Sequence, residues 1–242
     1  MEKLTLLAFI FCFGMISAQD LKGAWKLVEK DGKPVNDREV IKIIQDGYFA
    51  LGSKNLSDNT FLGAAGGEFN LEDETLTEVR DFDTYEEKNI GSEQDYNISW
   101  EGDNKMEVSD GRTTKTWERI SDKSDDLTRN WVITGRERNG EINTMTPDDR
   151  RTIKILSGGR FQWVAFNSAT KKFNATGGGT YTAKNGTYTE NIEFFSKDAT
   201  RVGASLEFQY EVKDGKWHHK GKSSKGDPIY EIWSPYNEAY KE

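Results

Sequence analysis

Apolar and polar residues alternate along most of this 242-residue chain, and no sustained helical period appears. Leu206-Glu207-Phe208-Gln209-Tyr210-Glu211-Val212 is the cleanest stretch, with four apolar side chains on one face and acids and an amide on the other. Tyr96, Ile98 and Trp100 repeat the alternation earlier in the chain. Asp31-Gly32, Asn139-Gly140, Asn185-Gly186 and Asp214-Gly215 punctuate these runs, as tight hairpins require. The pattern predicts a meander of short antiparallel strands with one wet and one dry face. Two polar stretches interrupt it, Asp31 to Glu39 and Glu137 to Arg151. In the second, Thr146-Pro147-Asp148-Asp149 reads as a helix start, with Thr as cap and Pro at the first helical position.

The pattern also repeats itself. Ile41-Lys42-Ile43-Ile44 returns 112 positions later as Ile153-Lys154-Ile155-Leu156. At the same offset Gly47 returns as Gly159, Phe49 as Phe161, Phe61 as Phe173, Gly66-Gly67 as Gly178-Gly179, Thr77-Glu78 as Thr189-Glu190, and Phe82 as Phe194. An ungapped register over this distance marks a duplicated module. Polar Asp122 to Asp126 lies between the copies and reads as a linker. The organisation is therefore a leader at 1–18, a first module at 19–121, the linker at 122–126 and a second module at 127–242. An isolated sheet of this kind would expose its edges and its dry face, so each module must close or pair. Up-and-down hairpins without long crossovers favour closure. The expected fold is all-β: two consecutive antiparallel up-and-down β-barrels.

Leu21-Lys22-Gly23-Ala24-Trp25 and Leu127-Thr128-Arg129-Asn130-Trp131 open the two copies. The Gly-x-Trp of the first resembles the entry strand of lipocalins. In that family the Trp plugs the closed end of the barrel and an Arg after the last strand packs across it. The resemblance thus implies that Arg119, in Thr116-Trp117-Glu118-Arg119, lies over Trp25. The second copy departs from the pattern: Arg129 stands in place of the glycine, and no Arg follows Trp233. Both halves are more closely similar to the lipocalin-like domains of uncharacterised secreted or periplasmic Bacteroidetes-type proteins. Those show a Leu-x-Gly-x-Trp start, a Gly-Gly-x-Tyr strand and a Glu-Ile-Trp end, met here by Gly178-Gly179-Thr180-Tyr181 and Glu231-Ile232-Trp233. The resemblance covers most of residues 20–236 and implies fold; it transfers no activity.

Composition narrows the function. Lys3, the apolar run from Leu4 to Ile16 and the small residues Ser17-Ala18 form a secretory signal with cleavage expected after Ala18. The run is too short to span a membrane, and the expected location is secreted or periplasmic. Cys12, the single cysteine, leaves with the signal, so neither a disulfide scaffold nor a thiol enzyme follows. Seven Trp, thirteen Phe and nine Tyr supply core in place of disulfides. The net charge of −8 and the lack of a basic stripe argue against nucleic acid as a partner.

Catalytic templates find no match. There is no Ser-His-acid set and no zinc-ligand spacing, and the adjacent His218 and His219 would point to opposite faces of a strand. A turn flank in solvent is the expected place for His219. Gly177-Gly178-Gly179 lacks the Lys-Ser/Thr of a phosphate loop, and close backbone approach accounts for it better. Asp81 and Asp83 read as a charged outer face. The reading is a non-enzyme with no metal and no cofactor.

Comparing the copies sharpens one point. Tyr188, Glu190, Ile192 and Phe194 share a face by alternation, as do Leu76, Glu78, Arg80 and Phe82. Each face therefore carries an acid among apolar residues, which is costly unless it is paired. Arg80 can neutralise Glu78. Ile192 cannot do the same for Glu190, which needs a tyrosine hydroxyl, water or a ligand. Two readings follow. In one, Glu190, Tyr188, Tyr181, Trp163, Tyr210 and Phe208 line a cavity for a small hydrophobic or amphipathic molecule, with Glu78 and Arg80 the corresponding pair in the first copy. In the other, the barrels are filled and the protein contacts a partner or a carbohydrate from outside.

Overall fold

The computed structural model describes residues 21–223 and 226–239. The leader, its cleavage point at Ala18 and the first two residues of the first module lie outside the described residues. The first module contains β1 (Gly23–Lys30), β2 (Lys33–Pro34), β3 (Arg38–Gln45), β4 (Tyr48–Asn55), β5 (Phe61–Glu72) and β6 (Thr75–Asp83). A single 3-10 turn, Glu87–Asn89, precedes β7 (Glu93–Trp100), β8 (Lys105–Ser109) and β9 (Thr114–Ser121). The second module follows the same plan: β10 (Arg129–Arg138), β11 (Glu141–Thr144), β12 (Arg150–Ser157), β13 (Arg160–Asn167), β14 (Lys172–Lys184) and β15 (Thr187–Phe195). The turn Ala199–Arg201 then leads to β16 (Ser205–Lys213), β17 (Lys216–Lys222) and β18 (Pro228–Pro235).

Each module is a closed, eight-stranded, antiparallel barrel. Consecutive strands pair, β1 returns to β9 and β10 returns to β18; β2 and β11 are short hairpin partners outside each ring. The segment after Thr146 continues as a loop into β12, so no helix forms there. Its Pro147 is buried as part of that loop, and the competing signal was the strand pairing on either side.

Glycine matters most at the paired positions Gly66-Gly67 and Gly178-Gly179. A methyl group at Gly67 would land on the Val79 carbonyl oxygen, and one at Gly179 on that of Asn191. The ladders shift register at these same points, where Asp81 and Glu193 are the extra residues. Such a bulge slips the alternation by one. Phe82 and Phe194 consequently leave the inward face expected for them and turn outward, where both stack on aromatic rings of the other barrel.

That outward surface joins the two barrels. β3 and β12 are apolar on both faces, so they bury both. Val40 and Ile44 point into the first barrel, while Ile41 and Ile43 meet Ile153, Ile155, Val164 and Phe166 of the second. Residues 112 positions apart meet each other. Ser157 Oγ donates to Gln45 Oε1 at 3.0 Å, and Phe61 stacks on Phe173 at 6.2 Å with the rings 4° from parallel. Phe61–Phe194 at 6.3 Å and Phe173–Phe82 at 6.5 Å are then mates of one another. The barrels thus associate through equivalent faces about an approximate two-fold axis. Full burial of a phenyl ring is worth about 1.5–3 kcal/mol, and Phe82 and Phe166 are fully buried in this contact while Phe61 and Phe173 are partly so.

The symmetry breaks at one end. There Tyr48 and Asp81 of the first barrel bond at 2.9 Å, with Arg151 3.5 Å and the Tyr236 hydroxyl 3.4 Å from the same carboxylate. Burial raises the pKa of Asp81. Asp81 is therefore an interface residue, not part of an exposed acidic face. An open cleft of about 710 Å³ lies above it, lined by Asp46, Glu68, Asp148, Asp149, Arg151 and Tyr236.

Candidate functional site

Each barrel is sealed where its first strand enters. Trp25 and Trp131 are buried, and each indole N–H donates 2.8 Å to the carbonyl of the leucine four residues earlier, Leu21 or Leu127. Arg119 covers Trp25 with its guanidinium 4.2 Å from the ring centre and also bonds the Lys22 carbonyl. In the second barrel Arg129, from the entry strand itself, takes the covering role at 5.5 Å from Trp131. The residue that displaces the glycine thus supplies the cation that β18 lacks.

Tyr181 and Tyr210 reach this sealed end with their hydroxyls, while their rings pack on the interior cluster. The Tyr181 hydroxyl bonds Asp125 at 3.1 Å, and the Tyr210 hydroxyl bonds both Asp126 oxygens at 3.0 Å. Burial, then the aspartates, raises both phenol pKa values, that of Tyr210 to about 12. The linker acids therefore act as a clasp across the base of the second barrel.

Above the base, each barrel holds a buried charge layer. Lys154 Nζ lies 2.6 Å from Glu190 Oε1, and the Tyr188 hydroxyl donates to the same oxygen at 2.9 Å. Glu190 is therefore not unpartnered: its counter-ion is the Lys of the repeated Ile-Lys-Ile. Lys42 and Glu78 form the identical pair at 2.6 Å. Arg80 adds a second contact to Glu78 at 3.3 Å and bonds Asp83 and the Tyr96 hydroxyl. Asp83 is thus inside the first barrel, its side chain fully buried. Burial opposes ionisation of Glu78, yet Lys42 and Arg80 hold its pKa below the ordinary value.

The second barrel has a feature that the first lacks. His219 is 2% exposed and sits inside the barrel, with ring centres 4.2 Å from Phe208, 5.2 Å from Trp217 and 5.8 Å from Tyr188. It is not in a solvent-facing turn. His218 takes the outward position instead and contacts the Tyr230 hydroxyl. His219 Nδ1 is 3.5 Å from Glu231, whose other oxygen binds Arg136 at 2.6 Å. Burial depresses the His219 pKa. Burial works against the Glu231 carboxylate too, but His219 and Lys154 beside it bring its pKa down to about 2.

Three buried polar atoms in this layer have no polar partner among the described residues, His219 Nε2 and the indole nitrogens of Trp217 and Trp233, while His219 Nδ1 has only the 3.5 Å contact to Glu231. Trp217 and Trp233 are 5.8 Å apart, and Lys154 Nζ is 5.3 Å from each ring centre. Partly buried Trp163, Phe195, Leu206 and Ile229 pack against the same cluster, with Trp163 5.6 Å from Phe195 at the far end of β15. Of the residues singled out by sequence, Glu190, Tyr188, Tyr181, Phe208, Tyr210 and Trp163 therefore come together, while Glu78 and Arg80 share the other barrel. Sequence reasoning gave no site role to Lys154, Glu231 and Trp233, and placed His219 in a solvent-facing turn. The signal for Lys154 was present, since Lys42 and Lys154 repeat within otherwise apolar runs.

Among the described residues no group of three or more His, Cys, Asp or Glu side chains is placed to hold a metal, and no helix is long and apolar enough to cross a membrane.

The fold and this layered interior define a tandem of closed antiparallel β-barrels. A similar chain is seen in the crystal structure of an uncharacterized protein from Bacteroides eggerthii DSM 20697, 18% identical with a TM-score of 0.32. The match covers 41% of the present chain and 98% of that one. No family model and no curated protein matches the sequence.

Proposed function

We propose that this chain is a secreted, non-enzymatic, lipocalin-like tandem that takes a small, partly apolar molecule into its second barrel. One observation carries the reading: the three partnerless polar atoms of His219, Trp217 and Trp233, grouped below the aromatic rim of Trp163 and Phe195. A buried donor left unsatisfied costs about 1–3 kcal/mol, and native interiors seldom tolerate several together. The first barrel has Met106 and Val108 across from Trp117 and Lys115 where the second has Trp217 and His219 across from Trp233 and Glu231. Trp217 and His219 are therefore additions to a framework that closes without them, while Trp233 has its counterpart in Trp117. A ligand with a hydrogen-bond acceptor and an apolar body satisfies both the floor and the rim.

Native mass spectrometry of protein purified from its own host tests this. The mature chain is expected to begin at Gln19 and to carry a bound small molecule that His219→Val loses. A native chain free of any ligand refutes the lumen site. That result would favour the second reading, in which the open acidic cleft between the barrels contacts an external partner.

A further inference from the structure

The two barrels place charged residues at matching strand positions, but the signs do not match. β10 and β18 set Arg136 opposite Glu231, and the two form a salt bridge at 2.6 Å. At the same step of the same closure, β1 and β9 set Lys30 opposite Lys115. Like charges directly opposite on adjacent strands are destabilising. Deeper in, Lys42 and Glu78 match Lys154 and Glu190, but Arg80 and Asp83 stand where the second barrel has Ile192 and Phe195. The first barrel therefore carries Lys30, Lys42, Arg80 and Lys115 against Glu78 and Asp83, with the Asp110 carboxylate at the rim near Lys115. The second carries Arg136 and Lys154 against Glu190 and Glu231, with His219 neutral.

This excess of positive charge sits in a chain of net charge −8, so it does not reflect a generally basic protein. Lys115 is half-buried and has no carboxylate within salt-bridge distance among the described residues. Burial lowers its pKa, and the charges of Lys42, Arg80 and Lys30 lower it further, against an opposing pull from Glu78. Arg80 Nε is buried without a hydrogen-bond partner. An ordinary surface lysine pair would turn its ammonium groups apart into water. Here the two lie opposite each other at the end of the barrel away from Trp25, Lys30 exposed and Lys115 half-buried, above a layer in which Glu78 and Asp83 already balance Lys42 and Arg80.

We propose that the open end of the first barrel is a binding site for an anionic headgroup (carboxylate, phosphate or sulfate), held by Lys115 with Lys30 and Arg80. The anion supplies the negative charge that Glu231 supplies in the second barrel. The site is distinct from the lumen of the second barrel and does not depend on the reading given for it.

Lys115→Glu is the discriminating variant, because it installs the residue that the second barrel folds around at the same position. Isothermal titration of the whole mature protein at low ionic strength uses two probes, inorganic phosphate and octanoate. At least one is expected to bind with one-to-one stoichiometry, and Lys115→Glu is expected to weaken it at least tenfold. In the absence of ligand the variant is expected to melt higher than the native protein at low salt. Lys26→Glu makes the same charge change on the exposed outer side of β1 and is expected to leave binding within twofold. Binding of phosphate as well as octanoate would show that the headgroup suffices, and binding of octanoate alone that an apolar tail is also needed; both support the site. Absence of binding by both probes at millimolar concentration overturns it, as does undiminished binding to Lys115→Glu.

Discussion

Removing the lysine from each buried ion pair should have unequal effects in the two barrels. Lys154→Met leaves the Glu190 carboxylate buried with only the Tyr188 hydroxyl at 2.9 Å. Breaking a buried pair by deleting one partner costs about 3–5 kcal/mol. Lys42→Met leaves Glu78 with Arg80 at 3.3 Å, so a counter-charge remains and the loss approaches that of one charged hydrogen bond, about 1.5–3 kcal/mol. For a chain of this size 1 kcal/mol moves the melting midpoint by about 2–4 °C. Lys154→Met should therefore lower it by on the order of 10 °C, and Lys42→Met by roughly half as much. Thermal melts at pH 7, followed by far-ultraviolet circular dichroism, measure both shifts, and urea unfolding followed by tryptophan fluorescence measures the free energies. Adding Glu190→Leu to Lys154→Met should recover most of the loss, since an apolar pair of similar volume removes the stranded charge. The reasoning fails if the two single variants lose the same stability, or if Lys154→Met loses less than Lys42→Met.

Acid should destabilise the second barrel in two stages. His219 has its pKa depressed below the ordinary 6.5, so the unfolded chain binds the proton first and stability falls as pH drops below 6.5, by up to about 1.4 kcal/mol per pH unit. Glu231 contributes stability above its ordinary 4.5 that is lost as pH falls toward about 2. Melting curves from pH 8 to pH 4 should show the first stage flattened in His219→Val; an unchanged slope between pH 6.5 and pH 5 would mean that His219 is protonated in the fold. Cutting the chain at a protease site inserted in the linker should leave the two barrels co-eluting from a sizing column at micromolar concentration, because the Phe61–Phe173 cluster does not depend on the covalent link. Separate elution of the halves would show the interface to be too weak to act alone.

Much of this architecture was legible in the sequence. Strict alternation in Leu206 to Val212 and the 112-residue offset give the meander, the duplication and the closure, because both rest on backbone periodicity. What alternation cannot register is a bulge. One extra residue at Asp81 and at Glu193 turned Phe82 and Phe194 to the opposite face, and the cause, glycine pressed against a carbonyl oxygen, lies in a neighbouring strand. The double-faced apolar run Ile41 to Ile44 was visible but was read only as a repeat marker. It is the mark of a strand buried on both sides, here by a barrel core and by a second barrel. The lysine inside it could not be paired from sequence, since its carboxylate lies 36 residues away. His219 was misplaced for a similar reason: Phe208 and Tyr188, from two other strands, enclose it together with Trp217 of its own strand.

Phe61 resting on its own counterpart Phe173 has a consequence for what the two lumens can become. A symmetric dimer of one gene product must present the same interior twice, and any substitution that retunes one cavity retunes the other. Joining the copies in one chain removes that constraint while leaving the mating surface intact. Selection can then hold Phe61, Phe173, Ile43 and Ile155 fixed and let Lys115 and Glu231 take opposite charges. The surface where the barrels agree is thus what permits their interiors to differ.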